Sequence, residues 1–96
     1  GPRTEAGSIG VFSSIEEGPQ GPEVTFVYGP VVKRVAEVSI SFNDGTTIRT
    51  RPIAGPPGFE VNFYVVGVRG TARVATVRAL DRRGDVLGTV VSRPVP

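Results

Sequence analysis

The sequence predicts an all-β protein: one seven-stranded antiparallel β-sandwich, with a small β-barrel as the alternative. Three observations carry this. Val, Ile, Thr and Phe dominate short runs, several of which alternate strictly between apolar and polar residues. Thirteen glycines and nine prolines break those runs, at the spacing of roughly 8–12 residues usual for sandwich strands. No window places apolar residues at i, i+3, i+4 and i+7 for long enough to make a helix. The sandwich is preferred because two clear hairpins alternate with Pro-rich crossovers, which can carry the chain from one sheet to the other.

Ninety-six residues make a single domain. Residues 1–7 are expected to fray, and Gly1-Pro2 reads as the scar of a removed expression tag. The folded domain spans 8–92, and 93–96 is a tail with two prolines. Ser8–Ile15 is the first strand, with Ile9, Val11 and Ile15 on one side. Glu16–Pro22 holds two prolines and two glycines, which no β-ladder sustains, so it is a loop. Glu23–Tyr28 is the second strand, with Val24, Phe26 and Tyr28 on one face, and Gly29-Pro30 breaks it. Val31–Arg34 connects it to Val35–Phe42, the clearest strand. There Ala36, Val38, Ile40 and Phe42 form a dry face, and Glu37, Ser39 and Ser41 a wet one.

Asn43-Asp44-Gly45 is a hairpin turn in which Gly45 supplies the positive φ of a G1 bulge. Thr46–Ile53 returns with Ile48 inward and Thr47, Arg49 and Arg51 facing the other way; Pro52 ends this strand or puts it at an edge. Ala54–Gly58 is a rigid loop. Phe59–Val66 is the fifth strand, with Phe59, Val61, Phe63 and Val65 inward and Glu60, Asn62 and Tyr64 outward. Gly67–Thr71 turns the chain into a last hairpin. Ala75, Val77 and Ala79 line one face of it, Asp81–Asp85 reverses the chain, and Val86–Val91 returns.

Composition narrows the chemistry. Without cysteine there is no disulfide and no thiolate metal site; without histidine the commonest general base and transition-metal ligand is missing. A serine nucleophile would need Lys33 as its base, and nothing places one beside it. Asp81 and Asp85, flanked by Arg82 and Arg83, are a poor start for calcium and better suited to capping turn amides. The expectation is therefore no enzyme, no metal and no cofactor. The net charge of +2, with ten arginines and one lysine, is small for a nucleic-acid binder, and no nucleic-acid partner is expected. No apolar run approaches the ~20 residues of a membrane helix. The chain begins without methionine, so it follows a cleavage or is part of a longer protein.

In a sandwich the loops alternate between two ends. Val31–Arg34, Pro52–Gly58 and Asp81–Asp85 should meet at one, and Glu16–Pro22, Asn43–Gly45 and Gly67–Thr71 at the other. The first end gathers Lys33, Arg34, Arg82 and Arg83, a candidate partner-binding cluster that would steer an anionic partner. Charged tips are also simply what wet turns carry. Of the aromatic residues, Phe26, Phe42, Phe59 and Phe63 fit inward positions and Tyr28 fits either face. Tyr64 points outward with Phe12 as the second such ring, which makes Tyr64 the remaining partner-binding candidate and suggests an apolar patch for a dimer or a second domain.

Val38-Ser39-Ile40-Ser41-Phe42-Asn43-Asp44-Gly45 and Val77-Arg78-Ala79-Leu80-Asp81-Arg82-Arg83-Gly84 resemble the middle hairpin and the penultimate strand and turn of immunoglobulin-like or fibronectin-III-like domains of bacterial cell-envelope proteins. The resemblance spans Glu23–Val91; the cysteine pair and core tryptophan of antibody domains are absent. It implies a non-catalytic module of an extracytoplasmic or membrane-anchored protein, reaching the membrane only through an anchor upstream of Gly1. Such a module acts as a spacer or protein-docking domain, through a protein partner or self-association at a sheet edge or at the basic loop end. The alternative is a carbohydrate- or small-ligand-binding module.

Overall fold

The computed structural model describes residues 9–16, 23–70 and 73–91. The terminal segments expected at 1–7 and 93–96, and most of the loop expected at Glu16–Pro22, lie outside these. The described residues form seven strands: β1 (Phe12–Glu16), β2 (Val24–Val32), β3 (Glu37–Phe42), β4 (Thr47–Thr50), β5 (Val61–Arg69), β6 (Val74–Leu80) and β7 (Val86–Val91). They make two antiparallel sheets, β1-β2-β5 and β4-β3-β6-β7, which do not close into a barrel. The chain changes sheet at β2–β3, β4–β5 and β5–β6.

The second sheet follows the alternation of its sequence. Val38, Ile40, Phe42, Val77 and Ala79 are buried, while Ser41, Arg49 and Arg78 lie on its outer side. An extra residue in β6 brings Val74, rather than Ala75, opposite Phe42. The two hairpin turns are built alike. Phe42 N–H donates to the Thr46 carbonyl at 2.8 Å, and Asp81 N–H to that of Asp85 at 2.9 Å. Each closes a three-residue loop whose last member, Gly45 or Gly84, has φ near +90° (91° and 87°), the backbone of a G1 bulge.

The first sheet departs from expectation in phase. Val27 and Val31 of β2 and Tyr64 of β5 enter the core, whereas Tyr28, Phe63 and Val65 are exposed and Phe26 is only half buried. The residues expected inward on both strands therefore face out, and Tyr64, expected outward, is 1% exposed. Gly29-Pro30 does not break β2, which runs on to Val32, and Gly67–Arg69 extends β5 rather than turning. Phe59 precedes β5 and is exposed, as is Ile15 on β1. Ile9 is buried and bridges to Val31.

A packing requirement sets this phase. Tyr64 is paired with Gly29 across β2 and β5. Its hydroxyl donates to the Gly10 carbonyl at 2.9 Å. A side chain at Gly29 would run into the Gly10 backbone and touch the Tyr64 ring. Only a glycine at 29 lets the segment before β1 lie down close enough to receive the phenol. Thr25, also buried, satisfies itself the same way, donating to the Gly70 carbonyl at 2.7 Å.

Gly29→Ala should destabilise the domain by roughly 1–3 kcal/mol through overpacking, with amide exchange of Ile9 and Val11 accelerating first. Burial pushes the Tyr64 phenol up to about 12, from an ordinary value near 10. Below pH ~10 both folded and unfolded chains hold the proton, so stability is full; between ~10 and ~12 only the unfolded chain releases it, and stability falls by about 2–3 kcal/mol. Urea titrations at pH 9, 11 and 12 should show this fall. Tyr64→Phe should lose ~1 kcal/mol at neutral pH with its hydrogen bond and flatten the alkaline slope; an unchanged slope would assign it to another group.

Candidate functional site

The reversed phase of β2 and β5 creates the main surface feature. On the outer side of the first sheet, Phe12, Tyr28 and Val65 lie in one row across β1, β2 and β5. Pro30 and Phe63 form the next row, and Ile53 bridges to Phe63 from the loop before β5. The Phe12 and Tyr28 rings stack with centroids 5.8 Å apart and planes 22° from parallel. These residues line an open hollow of about 480 Å³ that exposes almost no polar atom. They are far from buried: Phe12 is 56% exposed, Ile53 62% and Val65 49%.

The outer side of the second sheet is its opposite. Ser39, Ser41, Arg49, Thr76 and Arg78 occupy it. Arg49 reaches Glu37 at 3.5 Å, an exposed pair that adds little stability. One outer face is thus finished for water and the other is not.

The loops of the first end meet as the alternation rule requires, while of the second end's loops Glu16–Pro22 lies mostly outside the described residues. Lys33, Arg34, Arg82 and Arg83 gather with Asp81 around a hollow of about 320 Å³. Arg51 joins Arg82 and Asp81 at an adjoining hollow of about 390 Å³. The Pro52–Gly58 loop reaches this end through Gly55, whose N–H donates to Asn62 Oδ1 at 3.4 Å. At the other end Asn43 N–H donates to the Arg73 carbonyl at 2.9 Å. Within the basic end the carboxylate of Asp81 is occupied by its own turn. Its Oδ1 accepts the Arg83 N–H at 2.8 Å and the Asp85 N–H at 3.0 Å. Arg82 and Arg83 make no ion pair with a described residue. Asp44 does the same for its hairpin. Its carboxylate accepts the Thr46 N–H at 2.9 Å, and this bond holds its pKa below the ordinary value.

Comparison with family models, curated proteins and solved structures finds no match. The site must therefore be read from its own geometry. The four basic candidates come together; Tyr64 does not join them but lies under the apolar hollow, 1% exposed, with its ring in the core and its hydroxyl bonded to Gly10. Phe63 and Val65, neighbours of Tyr64 on either side, are among the exposed residues that the sequence places inside, with Phe59. The available signal was a tyrosine facing a glycine: a ring with a hydroxyl to satisfy, opposite a strand position without a side chain.

An apolar centre offers desolvation, and the cationic end offers attraction to carboxylates or other anions. Pro30 lines the apolar hollow and Lys33, a few residues on, lines the basic one.

Asp81→Ala should lower stability by about 1–2 kcal/mol, because two turn amides lose their acceptor. Asp81→Asn keeps an acceptor oxygen and should cost less. Chemical denaturation of both variants checks this; equal losses would mean that charge, not the amide bonds, holds the turn.

Proposed function

We propose that this chain is a non-catalytic β-sandwich module, immunoglobulin-like or fibronectin-III-like, of a bacterial extracytoplasmic or membrane-anchored protein, and that it docks a protein partner. The carrying observation is the exposed apolar face of the β1-β2-β5 sheet. An apolar sheet face left to water favours association. A pure spacer has no use for it.

The strand partition supports the family reading. Separating β1-β2-β5 from β3-β6-β7 follows the immunoglobulin scheme, with one departure: β4 pairs with β3, where the constant-type arrangement pairs the fourth strand with the fifth. The envelope setting rests on the resemblance carried by Val38–Gly45 and Val77–Gly84.

The carbohydrate-binding alternative draws on the stacked Phe12 and Tyr28 rings. A sugar also needs hydrogen bonds for its hydroxyls, and the hollow beside the rings offers almost no polar atom. A protein with an apolar centre and an acidic border fits the two hollows better.

A photo-crosslinking residue placed at Phe63 in the native host should give a discrete protein adduct, while the same residue at Thr76, on the polar outer face, should give none. Equal labelling at both positions, or none at Phe63, would overturn the docking reading. Glycan-array binding that disappears with Phe12→Ala would replace it with the carbohydrate reading.

A further inference from the structure

The departure of β4 has a consequence for its former neighbour. β5 borders β2 on one side; on the other, the described residue that shares backbone hydrogen bonds with it is Ile53. Ile53 N–H donates to the Phe63 carbonyl at 2.6 Å, and Phe63 N–H returns the bond at 2.9 Å. Phe63 therefore turns both backbone groups away from β2. Its partner in β2, Pro30, confirms the phase, since proline has no N–H to offer β5. Backbone direction alternates along a strand, so Val65, Gly67 and Arg69 also turn their N–H and C=O groups to the open side. No described residue bonds to them there.

The other edge strands are shorter than β5. β4 is four residues long, carries Arg49 and is followed closely by Pro52; β1 and β7 have five and six residues. β5 has nine, and no described residue pairs with the open side of its second half. Charge and proline are usual means of blunting an edge; this half has no proline and carries its one charge, Arg69, at its end.

We infer that the Val65–Arg69 edge is a strand-addition site for an extended segment of a partner protein. This deepens the docking reading and rests on it. The side chains beside the open backbone define the occupant. An antiparallel segment places a residue against Arg69, then Gly67, then Val65, at alternate positions. Arg69 is exposed and makes no ion pair with a described residue, so the first of these is acidic. Gly67 has no side chain, and the Phe26 ring lies where one would be, so a β-branched residue packs there against the ring. Val65 is 49% exposed and continues the Phe12–Tyr28 row, so the last is apolar. Beyond it Ile53 already holds Phe63, and the added strand ends or turns away.

The capped peptide Glu-Thr-Val-Thr-Val presents these residues in order. Added to isotope-labelled protein up to millimolar concentration, it should slow hydrogen exchange of the Val65, Gly67 and Arg69 amides together. N-methylation of its first, third and fifth residues removes the donors facing β5 and should weaken binding roughly tenfold or more; N-methylation of the second and fourth should leave it intact. Equal binding of both methylated peptides, or no protection of the three amides, overturns the edge site. The docking reading fails separately, through the crosslinks at Phe63. Protection that grows with protein concentration alone would mean that a second copy occupies the edge, and would overturn the assignment to a partner segment.

Discussion

The seat of Tyr64 decides the character of the first sheet. Its phenol must be satisfied once buried, and the Gly10 carbonyl satisfies it; its ring needs a gap in the facing strand, and Gly29 supplies one. With Tyr64 inward, strand alternation sends Phe63 and Val65 outward. Cross-strand register then aligns Val65 with Tyr28 and Phe12, and Phe63 with Pro30. The apolar hollow is thus the other side of a core decision. A one-residue slip of β5 would reverse both faces at once. It would also strand the hydroxyl in water and drive Phe63 against Gly29, so the hydrogen bond fixes a register that hydrophobicity alone leaves open.

That ambiguity limited what could be read from the residues. The β3–β4 and β6–β7 hairpins were legible because each strand has one apolar phase. Val38, Ile40 and Phe42 alternate with Glu37, Ser39 and Ser41, and the Asn43–Gly45 and Asp81–Asp85 turns have the glycines their geometry needs. β2 and β5 have two apolar phases. Choosing the larger residues, Phe26 with Tyr28 and Phe63 with Val65, selected the wrong one on both. Valines filled the core instead, since Val27 and Val31 fit beside Tyr64 and a β3 that already presents Ile40 and Phe42. The basic cluster was legible because it depends on topology alone: loops after β2 and β6 share an end in any sandwich with this alternation. The apolar face was not, because it depends on phase.

The two sheets also differ in how they finish their surfaces. The second has a polar outer face, and its edges are the short β4 and β7. The first has an apolar outer face and a long edge in β5, both on the same side of the domain. These features share an origin. By pairing with β3, β4 lengthens the sheet that is already covered with serine, threonine and arginine, and it leaves β5 without the neighbour that constant-type sandwiches give it. The side chains that β4 would have shielded, Phe63 and Val65, then remain open.

The charged turns act with this asymmetry. Asp81 spends its Oδ1 on the amides of Arg83 and Asp85, which ties the turn to itself, and neither arginine of the tip makes an ion pair with a described residue. On the docking proposal, a partner that covered Phe63 and Pro30 would approach the end where Lys33 sits. Desolvation would supply the affinity at the centre, and the cations would select an acidic border and hasten the encounter. The polarity of this surface therefore runs along the strands as well as between the sheets: apolar in the middle of β2 and β5, cationic where β2 ends.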